Sequence, residues 1–443
     1  MKLFNTIFLI SKYTLLLFIL IYNNAISQTT VISPYSRYGI GEVNRPVFTR
    51  NFSMGSLGIA MQNDSLAPFF INMINPASYA GITGTVLEAG AVGNSINHQT
   101  STTKFTSNNA SVAYLSLQIP VKKWWGTSVG IVPFSGIGYH IKDSKDTAGI
   151  GYADYQYNGG GGINQFYWGN SFKIRNFSAG LNASYLFGNI VNSRKVIFSD
   201  TSNSYNFASI KTINISDFYF NYGMLYTIKI DSVKNRELKE KVKIILGATF
   251  APSTGINSKS NIFSYTYLDD YQGVRDTIEN YENKKGAIAL PLNMGYGITF
   301  KKGEKWIIGA EYAIQQWSNF SVFGINSDFK NSNNISLGGQ YVPGSKSESS
   351  KTFWQGVNYR AGIRYSQTYL DLKNTSITEH ALSIGFGIPV AKIRQLQQYS
   401  MFNIGFEIGE RGTTDNGLIK ENFVKIMLGI TMNDKWFNKP KID

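Results

Sequence analysis

The chain offers few groups that do chemistry. It has three histidines, His98, His140 and His380, and no cysteine. No Gly-x-Ser-x-Gly elbow or paired-histidine motif surrounds them, so no catalytic residue is assigned and an enzyme is not expected. Three dispersed histidines without thiols supply no ligand spacing, so neither a metal nor a cofactor is expected. Asp269-Asp270 reads as a solvated loop. Gly159-Gly160-Gly161-Gly162 lacks the following Lys-Ser/Thr of a phosphate loop and reads as a flexible loop tip. What remains is a set of isolated charges inside apolar-patterned segments: Glu311, Arg360, Arg364, Glu407 and Lys425. Folding the last hairpin about residue 415 brings Glu407 next to Lys425, a pair suited to fixing a scaffold. Arg360 and Arg364 carry the planar guanidinium that can grip a ligand carboxylate with two parallel hydrogen bonds.

The segments that hold these charges have a two-residue period. Trp306, Ile308, Ala310, Tyr312 and Ile314 alternate with Gly309, Glu311, Ala313 and Gln315, and Phe402 to Ile408 alternate with Asn403, Gly405, Glu407 and Gly409. Val424 to Met432 and Phe218 to Ile228 repeat the pattern, the latter with aromatics near its ends. One face of each suits lipid and the other a wetter interior. Such segments begin near 85, 110, 125, 162, 177, 213, 241, 286, 304, 334, 358, 379, 401 and 421, which predicts an all-β, transmembrane antiparallel barrel of about fourteen strands over 85–443. Turns at 173–176, 231–240 and 301–304 are compact and charged, as periplasmic turns are. Stretches near 142–161, 191–211, 317–333 and 411–420 read as long outer loops, and Trp436-Phe437 as an interfacial anchor just past the last strand.

Composition agrees. Charged residues make up 16%, aromatics 14%, and there are 43 glycines, unlike an ordinary soluble domain. Lys2, Lys12, the apolar run Tyr13 to Tyr22 and the small residues Ala25-Ile26-Ser27 read as a signal peptide over 1–27, with Gln28 first in the mature chain. No later stretch is apolar enough for a membrane helix. The formal charge is +14, or +12 without Lys2 and Lys12. For an exported chain the matching anions are lipopolysaccharide and membrane-lipid head groups, and nucleic acid is not an expected partner.

Between 28 and 84 the alternation stops, and Phe69-Phe70-Ile71 and Met73-Ile74 form apolar clusters. About 55 residues of such sequence ahead of a barrel are expected to plug its lumen. Phe69, Phe70, Ile71, Met73 and Ile74 are then either one side of a ligand trough or simple plug packing. In the third strand Trp125, Thr127, Val129 and Ile131 alternate well, after which Pro133, Gly136 and Gly138 must disturb the pairing, at least as a bulge.

Met54-Gly55-Ser56-Leu57-Gly58-Ile59-Ala60, Asp64 and the motif Asn75-Pro76-Ala77 just before the first strand resemble FadL-like outer-membrane transporters of long-chain fatty acids and other hydrophobic compounds. Ser33-Pro34-Tyr35-Ser36-Arg37-Tyr38-Gly39-Ile40-Gly41 and the chain's ending resemble the Bacteroidota branch of that family. The resemblance implies a hatch over 28–84 carrying Asn75, Pro76 and Ala77. It also implies a lateral gate bordered by Pro133, Phe134, Ser135, Gly136 and Gly138, and a monomer that takes up a hydrophobic small molecule passively at the outer membrane. Related barrels act as shuttles that hold exported proteins in the type IX secretion system, and that reading stays open beside the first.

Overall fold

Alternation at period two becomes a closed wall. The structure, a computed structural model, describes residues 31–63, 69–147, 151–198, 204–230, 242–268, 273–303, 305–344, 352–393 and 398–434. The expected signal peptide, Asp64, Asp269-Asp270, the turn 231–240 and Trp436-Phe437 lie outside the described residues. The wall is a closed barrel of 14 antiparallel strands. They are β1 Thr85–Gln99, β2 Lys104–Lys122, β3 Trp125–Thr147, β4 Gly151–Ile174, β5 Phe177–Phe198 and β6 Asn206–Ile230. β7 comprises Val242–Ala251 and Thr254–Tyr267, and β8 Asp276–Leu290 and Asn293–Lys302. The rest are β9 Trp306–Gln315, β10 Ser332–Tyr341, β11 Asn358–Leu372, β12 Thr375–Ile393, β13 Gln398–Arg411 and β14 Lys420–Asp434. β14 pairs with β1 from Lys420↔Gln99 to Asp434↔Thr85 and closes the ring, which leaves both ends of the barrel sequence on one side.

The outer face is the apolar set that the alternation selects. Phe218, Met224, Ile308, Tyr312, Val424 and Ile430 are exposed, whereas their neighbours Ile307, Glu311 and Glu407 are buried. β7 and β8 each break once, at Pro252 and at Pro291, because proline cannot donate to the ladder. Strands β3 to β6 run 23, 24, 22 and 25 residues. At about 3.3 Å per residue that is roughly 75 Å, far more than a bilayer core of about 30 Å requires even with tilt. The stretches expected as loops at 142–161 and 191–211 are therefore corrected: most of the described part of each is paired strand. Gly159–Gly162 is likewise no loop tip but part of β4, opposite Gly136 to Tyr139 of β3.

The segment ahead of β1 occupies the lumen. It starts beside the β13–β14 connection, where Ser33 donates to Glu421 (2.6 Å) and Tyr35 to the Ile419 carbonyl. It ends at Gly84, beside Asp434 at the other end of the barrel. On the way it touches most of the wall, and where its backbone meets a strand the wall residue is a glycine. Gly126 and Gly180 receive Tyr79 and Pro76, Gly247 receives Ile59, and Gly338 and Gly362 receive Met54. A Cβ at any of these would overlap the luminal backbone. Much of the glycine content is thus explained by close approach and not by turns. Gly362→Val is expected to lower stability by about 1–3 kcal/mol, as overpacking does. Protease cleavage within 31–63 measures it, and a luminal segment as resistant as in the unsubstituted protein would count against the close contact.

Candidate functional site: a luminal cavity open through the wall

Short turns hold the luminal segment in place. Asn75 caps a single 3-10 turn, Pro76–Tyr79: its side chain accepts from the Ala77 amide (3.0 Å) and donates to the carbonyls of Ile59 (2.6 Å) and Met224 (3.1 Å). Asparagine at the cap, proline at the first position and a small residue behind it suit a turn pressed against Gly180 and Gly223. Glu311 of β9 reaches in from the wall, and one of its carboxylate oxygens accepts from the amides of Gly58 (2.7 Å), Ile59 (2.6 Å) and Ala60 (3.2 Å).

Above this plug lies a cavity of about 440 Å³, within the range of small-molecule sites. Its sides differ in chemistry. The luminal segment contributes Val47, Phe48, Phe52, Met73 and Ile74, and strands β1 to β3 contribute Val92, Val112, Ala113, Val132, Pro133 and Phe134. The cavity is also bordered by Arg364, Glu379, Glu407, Arg411 and Lys425 of β11 to β14, with Asn334 of β10 and Arg45 of the luminal segment. Arg364 bridges Glu379 (2.7 Å) and Glu407 (3.1 Å), and Lys425 lies 3.9 Å from Glu407, in the register that the folded hairpin predicts. Arg411 holds Glu421 (2.6 Å) and Glu42 (3.2 Å).

The cavity reaches a gap in the wall. β2 and β3 pair only from Leu115↔Ile131 to Lys122↔Trp125. Beyond that, Lys104 to Tyr114 pair with β1 alone, while β3 continues along β4 with a bulge at Phe134. Val112 and Ala113 form one lip and Val132, Pro133 and Phe134 the other. Pro133 lacks the amide to continue the ladder, and glycines 136 and 138 allow the strand to bend inward. Ser135, Gly136 and Gly138 lie just past the bulge and face the luminal segment.

The sequence-predicted ligand residues separate into two groups. Met73, Ile74 and Arg364 border the cavity. Phe69 and Ile71 pack with Tyr79, Ile82 and Val86, and Phe70 packs with Met54, Leu57 and Met61 under the Arg50 guanidinium, 3.7 Å from its ring. Arg360 is buried away from the cavity, donating to Gln340 (2.9 Å) and Asn403 (2.7 Å). Of the two readings of Phe69, Phe70 and Ile71, the structure favours plug packing, because the segment turns them toward strands and not toward the opening, and the carboxylate-holding role expected of Arg360 is corrected, because its guanidinium is bound within the wall. Sequence reasoning missed Arg45 and the β2 lip, which no local pattern distinguishes from their neighbours.

One arrangement has the spacing of a Ser-His-acid relay. Ser107 Oγ is 2.8 Å from His98 Nε2, and His98 Nδ1 is 3.3 Å from Glu421. Glu421, however, is already neutralised by Arg411, and neither Ser107 nor His98 borders the cavity. The cluster joins β14 to β1 and β2. His140 meets Asn158, and His380 lies against Tyr365.

Together these features define a membrane-spanning β-barrel with an occupied lumen and a side opening. The chain belongs to the BamG family, whose model matches residues 9–443. No curated protein matches it significantly. Among solved structures, a FadL homologue of Pseudomonas aeruginosa is similar with a TM-score of 0.57 at 12% identity, covering 89% of this chain and 100% of its own. The monoaromatic hydrocarbon channel CymD gives 0.53 at 13% identity, covering 90% and 100%. The P. putida toluene transporter TodX gives 0.51 at 13%, covering 91% and 99%. At these identities the likeness is one of fold.

Proposed function

We propose that the protein is an outer-membrane channel for passive uptake of hydrophobic small molecules such as long-chain fatty acids, with rearrangement of the luminal segment and lateral release between β2 and β3. The observation that carries this reading is one cavity bordered both by charged groups of β11 to β14 and by both lips of the wall gap. An amphiphile fits it head to the charged side and tail toward the gap. Burial contributes roughly 25 cal/mol per Å² of apolar area, so a hydrocarbon tail gains by entering the apolar side and loses nothing by passing on into lipid. The straight path down the lumen is filled by residues 48–63 and 69–84, so the side route is the shorter one. Transport of hydrophobic compounds by the structurally similar channels supports this reading. On it the protein acts without catalysis or cofactor, as a monomer.

Ala113→Trp and Val132→Trp, each placing an indole in the gap, test the route. In vesicles carrying the reconstituted protein, uptake of a fluorescent long-chain fatty acid is expected to fall at least about fivefold, with the strand content seen by circular dichroism unchanged. Uptake at the unsubstituted rate in both variants would sink lateral release.

A further inference from the structure

The uptake path leaves the motif Ser33 to Gly41 without a role, yet the motif lies on the strand that forms one lip of the gap. β3 has two edges. β4 occupies one of them from Trp125 to Thr147. β2 occupies the other up to Ile131, and above that point the same edge is taken by the luminal segment. Val43 pairs with Ser135 and Glu42 with Gly136. The Asn44 amide donates to Phe134 (2.9 Å) and the Ser33 amide to Gly138 (2.8 Å), while Ser36 Oγ accepts from the Gly138 amide (3.0 Å). Gly41 has a φ of +89° and lies so close to Gly136 that no Cβ fits.

Among the described residues, Ala110 and Ser111 of β2 have a ladder partner on the β1 side only. Continued in uninterrupted register from Leu115↔Ile131, β2 would set Ser111 and Ala110 opposite Ser135 and Gly136, where Val43 and Glu42 now stand. Two segments therefore compete for one edge, and only one can hold it.

We propose that β3 is the moving part of a strand-exchange gate. The strap Ser33–Asn44 holds it in the inward, gap-open position, and Arg411 is the positioning residue that sets the balance. Exchange replaces one set of main-chain hydrogen bonds with another of the same kind, so the balance is decided by what anchors the strap. Arg411 is its anchor on β13, bound to Glu42 (3.2 Å), to Ser33 Oγ (3.1 Å) and to Glu421 (2.6 Å). Tyr369 donates to the Gly41 carbonyl (3.0 Å), and Tyr35 to that of Ile419. With the anchor lost, β3 is free to pair with β2, and the wall seals. The functional meaning of the gate rests on the lateral-release reading, but the exchange itself is measured without any ligand.

The chain contains no cysteine, so engineered pairs report without background. Cross-strand partners lie within disulfide reach. In the full-length protein, Val43→Cys with Ser135→Cys reports the strap-bound state, and Ser111→Cys with Ser135→Cys reports the exchanged one. Under mild oxidation the first pair is expected to close quickly and the second slowly. Adding Arg411→Ala should speed the second about tenfold and slow the first, and Arg411→Lys should restore part of the difference. Should Arg411→Ala fail to fold, Glu42→Gln, which lies on the strap alone, gives the same comparison. A second pair that closes no faster when the anchor is weakened overturns the proposal, as does one that closes as fast as the first with Arg411 intact. Exchange seen by cross-linking while the indole variants leave uptake unchanged would retain the gate and discard the exit.

Discussion

Glu311→Ala is expected to turn the plugged barrel into an ion-conducting pore. One carboxylate oxygen accepts three consecutive main-chain amides, those of Gly58, Ile59 and Ala60. This is the arrangement by which a single acid can fix the direction of a chain that has no ladder of its own. Hydrogen bonds to a charged acceptor contribute about 1.5–3 kcal/mol each, so losing the set costs on the order of 5 kcal/mol even if water reaches one amide. Asn75 and Asn72 still donate to the carbonyls of Ile59 (2.6 Å) and Gly58 (2.7 Å), but the facing Gly247, Gly295 and Gly297 have no side chain to accept from the three amides. The wall has its own continuous ladder, so the barrel should persist while the plug loosens. Single-channel recording in planar bilayers is the measurement. The unsubstituted protein should be nearly silent and Glu311→Ala should show steady openings, with Glu311→Gln between them because it keeps one acceptor oxygen. A silent Glu311→Ala would mean that packing around Met54, Leu57 and Met61 holds the plug without the carboxylate.

The parts of this architecture that were legible in the sequence are those that water and lipid dictate locally. Trp306 to Ile314 and Val424 to Met432 alternate because each faces lipid on one side and the lumen on the other, and the number of such stretches gave the size of the barrel. The pattern failed where apolar and polar residues do not alternate. In 191–198, Asn192 to Lys195 are polar in succession and Val196 to Phe198 apolar in succession, which reads as loop, although β5 and β6 pair from Asn192↔Lys211 to Val196↔Phe207. It failed differently for the four glycines 159–162. They read as a flexible tip, but they lie in a ladder where Gly162 leaves room for the bent β3 and Gly161 for Asn189. In the plug, apolar clusters are equally suited to packing and to lining a cavity. Phe70 and Met73 could not be told apart until the fold sent one toward β9 and the other toward the opening.

The same limit hid a cation that borders the cavity, Arg45. Arg45→Ala is expected to weaken binding of a carboxylate-headed amphiphile about tenfold or more and to leave a neutral hydrocarbon of similar length unaffected. The other cations around the cavity are committed: Arg364 to Glu379 and Glu407, Arg411 to Glu42 and Glu421, and Lys425 to the neighbourhood of Glu407. Arg45 donates only to neutral groups, Asn334 Oδ1 (2.9 Å) and Ser336 Oγ (3.5 Å). Its burial holds the guanidinium below its usual pKa, with Glu311 acting in the opposite direction. A desolvated cation without a directly bonded carboxylate is one that an incoming carboxylate can stabilise, by about 1.5–3 kcal/mol for a charge-assisted bond. That corresponds to roughly tenfold to a hundredfold in affinity. Arg364→Ala is the informative contrast, since it leaves Glu379 and Glu407 buried without their common partner and should destabilise the wall before it affects binding. Displacement of a fluorescent probe by oleate and by the alcohol of the same chain length separates the two roles. Equal losses for acid and alcohol in Arg45→Ala would make Arg45 a support for β10 and return the choice of head group to the amide-rich wall around Asn334.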